Sequence, residues 1–139
     1  MTLVVDASVA LKWFVESAHS EAAVKLLERD EELIAPDLVV AEVANAAWKL
    51  ARAGHIEGEH GRQIVDSIAQ AFSRLISSEE LASRAYDLAA RLEHPVYDCL
   101  YLALTVKERA RLVTADRRLQ RRLEQSPWKE RLYPLSSSR

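Results

Sequence analysis

The stretch LVVDASVALKW, residues 3–13, decides the fold class of this chain. Its opening residues are apolar and rich in β-formers, which predicts a short buried strand over residues 2–5. Asp6 follows that strand at once, and residues 7–15 have a helical pattern. An acid between a buried strand and a helix either caps the helix or binds a ligand, and Asp6 alone is compatible with both roles.

Short strands alternate with helices along the rest of the chain. Further strands are predicted over residues 32–36, 73–77, 111–114 and 131–135. Further helices are predicted over residues 20–30 (capped by Ser20), 37–54 (stopped by Gly54), 57–72, 77–93, 96–110 and 116–125. Such alternation is typical of an α/β sandwich with a small, mainly parallel sheet.

The totals predict one cytoplasmic domain without a membrane segment. The chain has 139 residues and is 49% hydrophobic, enough for a single domain, residues 1–139, with a real core. Its one cysteine, Cys99, excludes an intramolecular disulfide and suits a reducing cytoplasm. The longest run without a charged residue, 99–106, is too short to span a bilayer.

Charge is distributed unevenly. The net charge of −2 argues against bulk nucleic-acid binding, yet residues 107–131 contain nine Lys or Arg and only four Asp or Glu. Arg117, Arg118, Arg121 and Arg122 crowd the predicted last helix. They form either a solvated helix face or a surface that contacts the phosphates of a polyanion such as RNA.

Four acidic residues lie at strand ends or within helices that contain apolar residues, where each could be structural or functional. Asp6 and Asp116 follow strands, and both could be helix N-caps. Glu42 lies on a polar stripe of the helix 37–54, which could be a solvated face. Asp98 lies in an otherwise apolar helix, where the macrodipole of the first turn offsets little of the cost of burying a charge.

Taken together, the four acids indicate a metal site. The carboxyl ends of parallel strands meet at one edge of a sheet, and flanking helices can reach that edge. Two carboxylates roughly 4 Å apart repel by about 4 kcal/mol in a protein-like dielectric, so a cluster calls for a cation. Oxygen ligands suit Mg²⁺ or Mn²⁺, and such a site can activate water against a phosphodiester.

The motifs VVDAS, LVVAEVANA, YDCLYLAL and LVTAD resemble, in that order, the acidic motifs of the PIN-domain ribonucleases, especially the VapC-type toxins of toxin–antitoxin pairs. The resemblance implies a PIN-like three-layer α/β/α sandwich with a mainly parallel sheet. It implies an acidic quartet of Asp6, Glu42, Asp98 and Asp116, with Asp6 and Asp98 as the main metal ligands. Ser8 and Thr114 match hydroxyl positions that support the site.

The same resemblance implies an activity and partners. These are cleavage of single-stranded RNA dependent on Mg²⁺ or Mn²⁺, a homodimer, and a cognate antitoxin protein that covers the site. Three alternatives stay open at this point: a PIN nuclease of RNA maturation without an antitoxin, a phospho-accepting receiver-like domain, and a binding-only domain. The receiver alternative lacks an adjacent acidic pair after the first strand, because Ala7 and Ser8 follow Asp6.

Overall fold

The computed structural model describes residues 1–135 and contains four strands. They are β1 (Thr2–Val5), β2 (Glu32–Pro36), β3 (Arg74–Ile76) and β4 (Arg111–Val113). All four were predicted from the sequence to within about two residues. The predicted strand over 131–135 is wrong: Lys129–Arg131 is a 3₁₀ helix, and Leu132 forms only an isolated bridge to Leu112. Pro134 has no N–H group with which to continue that ladder.

Seven α-helices connect and flank the strands in this part of the chain. They are α1 (Ala7–Ala10), α2 (Ser20–Leu26), α3 (Leu38–Arg52), α4 (Gly58–Ser67), α5 (Ser78–Leu92), α6 (Val96–Lys107) and α7 (Arg117–Glu124). Two of the helices end in 3₁₀ turns where the prediction continued them: α1 passes into Leu11–Trp13, and α4 into Ile68–Ala71.

The helix ends follow local capping chemistry, with one correction. Gly54, at φ 82°, ends α3 as predicted, since glycine adopts positive φ without a steric penalty. Ser20 does not cap α2. It is the first helical residue, and its hydroxyl accepts a hydrogen bond from the Ser17 N–H at 2.8 Å, while His19 precedes the helix at φ 65°.

The sheet is parallel throughout and has the order β3-β2-β1-β4. Leu3 of β1 pairs with Leu33 of β2 on one side and with Arg111 of β4 on the other. Leu3, Val4 and Val5 are completely buried, so both faces of the central strand are covered. A strand buried on both faces reads as a continuous apolar run, which explains the opening LVV.

Helices cover the two faces in separate groups. The chain moves outward from β1 through β2 to β3 and then returns past β1 to β4. Parallel connections are right-handed, so connections that run in opposite directions place their helices on opposite faces. Accordingly α3 packs against α1 and α4, and α5 packs against α6. The fold is the predicted three-layer α/β/α sandwich, and its direction reverses between β1 and β4, where such sheets bind ligands.

No helix within residues 1–135 is both long enough and apolar enough to cross a lipid bilayer.

Candidate active site

Asp6 lies at the reversal point of the sheet. Its N–H donates to the Val113 carbonyl at 3.2 Å, which extends the pairing of β1 with β4 by one residue. Its Oδ1 accepts a hydrogen bond from the Val9 N–H at 3.2 Å, so Asp6 does cap α1. A helix cap normally faces water, whereas Asp6 is only 6% exposed. Capping alone therefore does not account for its position.

Two hydroxyl groups hold the Asp6 carboxylate. Ser8 Oγ donates to Asp6 Oδ1 at 2.6 Å, and Thr114 Oγ1 donates to Oδ2. The same hydroxyl groups accept hydrogen bonds from the chain after β4: Ser8 from the Ala115 N–H at 2.9 Å, and Thr114 from the Asp116 N–H at 3.0 Å. Ser8 and Thr114 thus fasten the ends of β1 and β4 together around Asp6.

Burial and a neighbouring charge raise the pKa of Asp6. The pKa rises from an ordinary 3.8 to about 6, chiefly because burial disfavours the charged carboxylate. The hydrogen bonds from Ser8, Thr114 and Val9 oppose this rise, and the negative charge of Asp98 adds to it. Asp98 is therefore close enough for its charge to act on Asp6.

Glu42 lies on α3, where the charge of Asp98 acts on it. We refer to Asp6, Glu42, Asp98 and Tyr101 together as the acidic pocket. Glu42 is half-buried, whereas Asn45, Lys49 and Arg52 of its predicted polar stripe are exposed. Its Oε1 accepts a hydrogen bond from the Tyr101 hydroxyl at 2.5 Å. Burial raises the pKa of Glu42, the Tyr101 hydrogen bond opposes that rise, and the charge of Asp98 adds to it. Glu42 is thus less exposed than the other three residues of its stripe, and its place in the proposed site stays a prediction.

Tyr101 joins the pocket although the sequence analysis gave it no role. It lies on α6 three residues after Asp98 and is 1% exposed. Burial and the charges of Glu42 and Asp6 raise the pKa of its hydroxyl well above the ordinary range, so it remains a hydrogen-bond donor. The i, i+3 spacing from Asp98 was the available signal.

Asp98 lies in the first turn of α6. Its side chain is 28% exposed and lies between the exposed Val96 and Tyr97 and the buried residues 99–105 of the same helix. His94, four residues earlier and with a side chain only 5% exposed, places Nε2 at 2.6 Å from Asp98 Oδ2. The sequence analysis missed His94 as well. Cys99 beside it is a buried thiol, and burial together with Asp98 raises its pKa to about 11.

Asp116 has a different environment from the other three acids. Its Oδ1 accepts hydrogen bonds from the N–H groups of Arg118 at 2.9 Å and Leu119 at 3.2 Å, so it is the N-cap of α7. It joins Asp6 only through Thr114. The charge of Asp98 therefore acts on both Asp6 and Glu42, whereas the backbone N–H of Asp116 connects to Asp6 through two successive hydrogen bonds.

The acidic pocket does not form a preassembled metal cage. Within residues 1–135, no three His, Cys, Asp or Glu side chains converge closely enough to hold a metal ion as they stand. The chemistry of the donor set nevertheless fits a hard divalent cation, because all the acids offer oxygen and Asp6 and Asp98 repel each other. A cation between them would replace repulsion with attraction.

The four arginines of α7 are all exposed, as the sequence predicted for a charged helix face. They are not equivalent in position. Arg118, Arg121 and Arg122 line a cleft of about 240 Å³ together with His94, and Arg117 lies outside it.

The raised pKa of Asp6 predicts a pH effect on stability. The folded chain binds the Asp6 proton more tightly than the unfolded chain does, so Asp6 lowers the unfolding free energy as pH rises from about 4 to about 6. The change amounts to about 3 kcal/mol. Other groups also titrate in this range, so the test is the difference between Asp6→Asn and wild type in EDTA. Denaturant unfolding should show this difference growing in favour of Asp6→Asn between pH 4 and pH 7, and a constant difference would contradict the assignment.

Comparisons with known proteins agree with this architecture. The PIN domain family model matches residues 3–124, a range that contains all four acids. The chain is 36% identical over 121 residues to Ribonuclease VapC3 of Pyrobaculum aerophilum, covering 86% of this chain and 92% of that relative. The crystal structure of PAE2754 from Pyrobaculum aerophilum superposes with a TM-score of 0.68 at 24% identity, covering 88% of this chain and 79% of that one. That last likeness concerns the fold alone.

Proposed function

This chain belongs to the PIN-domain family and within it to the VapC-type ribonucleases, and from that premise we propose that it is an endoribonuclease that cleaves single-stranded RNA in the Asp6 pocket. The observation that carries the proposal is Asp6 itself, a buried carboxylate at the reversal point of the sheet, within range of the charge of Asp98. A fold that only needed a helix cap would gain nothing from a second acid there. A receiver-like domain has no support from the family match.

The proposed cofactor is Mg²⁺ or Mn²⁺. Asp6 and Asp98 would hold it, with Glu42 and Asp116 completing the pocket directly or through water. A bound divalent cation supplies Lewis acidity, which favours ionisation of water and stabilises negative charge on phosphodiester oxygens. The raised pKa of Asp6 supports this choice, because a buried carboxylate that resists ionisation gains most from a nearby cation.

The remaining groups position the acids and move protons. Ser8 and Thr114 fix both oxygens of Asp6, and His94 fixes one oxygen of Asp98. The Tyr101 hydroxyl donates a hydrogen bond to one oxygen of Glu42, Oε1. With its raised pKa, Glu42 is the group we propose to orient the attacking water and accept its proton.

The biological setting is part of the same proposal. We infer a single cytoplasmic domain that acts as the toxin of a toxin–antitoxin pair, forms a homodimer, and is covered at its site by a cognate antitoxin. The name of the relative Ribonuclease VapC3 supports the toxin assignment. A gene for a short DNA-binding protein directly upstream would favour the toxin over a PIN nuclease of RNA maturation, and sedimentation of the purified chain tests the dimer.

Incubation with total RNA tests the activity directly. Purified protein with Mg²⁺ or Mn²⁺ should produce discrete new 5′ or 3′ ends within single-stranded regions, and EDTA should abolish them. Mapping the ends identifies the preferred sequence. The matched control is Glu59→Gln, which changes an exposed acid outside the pocket and should cut as wild type does. Equal cutting in EDTA would refute the metal requirement, and no cutting with either metal would refute the nuclease.

A further inference from the structure

A basic cleft adjoins the acidic pocket. It has a volume of about 240 Å³ and lies between α7 and the turn that joins α5 to α6. Its lining residues are Glu93, His94, Arg118, Arg121, Arg122 and Gln125. The turn contributes the first two, and α7 with its C-terminal end contributes the others.

His94 connects the cleft to the pocket. Its side chain is 5% exposed, it lines the cleft, and its Nε2 lies 2.6 Å from Asp98 Oδ2. One imidazole ring therefore separates the arginines from a proposed metal ligand. An RNA strand whose reacting phosphate lies beside Asp98 would bring a neighbouring phosphate to the cleft.

The charges of the cleft favour an anion. Three arginines face one carboxylate, that of Glu93, and within residues 1–135 none of these arginines forms an ion pair. Arg118 and Arg122 stand four residues apart on one helix, where like charges repel. A phosphate between them would replace repulsion with charge-assisted hydrogen bonds, which guanidinium groups form in bidentate geometry.

The arginines are held in place by their helix. Leu119 and Leu123 of α7 are buried in the core, and Asp116 caps its first turn. The burial of these two leucines, one turn apart, fixes the rotation of α7, so its exposed arginines lie on a defined side of the helix. A merely solvated face would not need to close a cleft against the α5–α6 turn.

We propose that this cleft is a phosphate subsite that binds one RNA backbone phosphate adjacent to the scissile phosphodiester, with Arg118 and Arg122 as its main ligands. The inference rests on the proposed nuclease function and deepens it. It assigns separate tasks to residues of one helix: Arg118, Arg121 and Arg122 fix the register of the strand, and Arg117 contributes only to the general field.

Neutral linkages in the substrate test the subsite one phosphate at a time. A short RNA with a mapped cut is synthesised with single methylphosphonates, each of which removes the charge of one linkage. With the wild-type chain, a methylphosphonate at one particular linkage next to the cut should raise KM by at least about tenfold. This is the effect expected for a lost charge-assisted hydrogen bond. In the variant Arg118→Ala Arg122→Ala, the unmodified RNA should show that loss, and the methylphosphonate at this linkage should add little more.

Matched variants separate the cleft from general electrostatics. Arg117→Ala should weaken binding slightly at every linkage and keep the methylphosphonate pattern of wild type. Arg84 is exposed on α5, nine residues before Glu93 at the turn. The variant Arg84→Ala should therefore bind and cut RNA as wild type does. Glu93→Gln should tighten RNA binding, because it removes the one carboxylate that faces the arginines. Each lost phosphate contact should lower the salt slope of binding by about 0.7.

The outcomes distinguish the subsite from the nuclease. If wild type cuts RNA and the double variant retains its KM and methylphosphonate pattern, the subsite is refuted and the nuclease stands. The Arg117→Ala variant and the double variant could instead lose the same RNA affinity, with no dependence on which linkage carries the methylphosphonate. The arginines would then contribute only general electrostatic attraction, and the subsite is again refuted. If wild type fails to cut any RNA, the proposed function fails first, and binding measured in EDTA then decides whether Arg118 and Arg122 bind RNA at all.

Discussion

Changing Asp6 to asparagine is expected to reduce RNA cleavage by at least about a thousandfold while the chain stays folded. The amide removes the charge that would attract a divalent cation and presents an NH₂ group toward one of the two hydroxyl donors, Ser8 or Thr114. Asp98→Asn should have a loss of similar size, because Asp98 is the second proposed ligand. Initial rates on a labelled RNA oligonucleotide measure both effects.

The folded state of these variants needs its own measurement. Circular dichroism and thermal unfolding should show an intact fold, and Asp6→Asn should gain stability relative to wild type as the pH rises above the pKa of Asp6, since it removes a charge that burial disfavours. Loss of activity with gain of stability distinguishes a strained functional acid from a structural one. A cleavage rate within about tenfold of wild type in either variant would show that the carboxylate is not a metal ligand.

Mg²⁺ or Mn²⁺ is expected to raise the melting temperature of the wild-type chain. A ligand that binds only the folded state stabilises it by about 2.7 kcal/mol at 100 times its Kd, which raises Tm by roughly 10 °C in a domain of this size. The pocket should show this effect because unfolding separates Asp6 from Asp98, which lie 92 positions apart in the chain. Scanning calorimetry over a titration into the millimolar range measures it.

Two controls make the metal titration specific. NaCl at matched ionic strength reports screening of surface charge, and the double variant Asp6→Asn Asp98→Asn reports binding elsewhere on the chain. Both should give small shifts that do not saturate. A flat wild-type curve, or an equal rise in the double variant, would show that the acids do not form a cation site.

Local chemistry explains how far the sequence predicted the fold. The strand ending at Val5 and the capped helix after Ser77 carry their own signals, an apolar β-rich run and a serine that accepts the Glu79 N–H. The predictions were wrong where the same residues could form a different local hydrogen-bonding arrangement. Ser20 binds the Ser17 N–H instead of capping its own helix, and the segment around Leu132 makes one bridge where a strand was predicted.

The arrangement of the candidate site was predictable in so far as sheet topology determines it. Asp6 and Asp116 follow parallel neighbours, so their meeting through Thr114 needs no knowledge of side-chain packing. The contact between Glu42 and Tyr101 joins residues 59 positions apart and depends on how α3 and α6 approach each other. No sequence period encodes that approach, so the helical pattern alone left Glu42 open to a solvated-face interpretation, and only the resemblance to a known family placed it in the quartet.

The hydrogen bond between Thr114 and Asp6 spans 108 positions of the chain. Asp6 leaves the ribosome early, yet its carboxylate has no Thr114 partner until β4 has emerged and joined β1. A nascent chain that stops before β4 therefore carries the acids Asp6, Glu42 and Asp98 without the fastening that positions the first of them. In this topology the hydrogen bond that holds Asp6 forms only after β4 has joined β1, so we expect truncated products that end before β4 to lack the proposed nuclease activity.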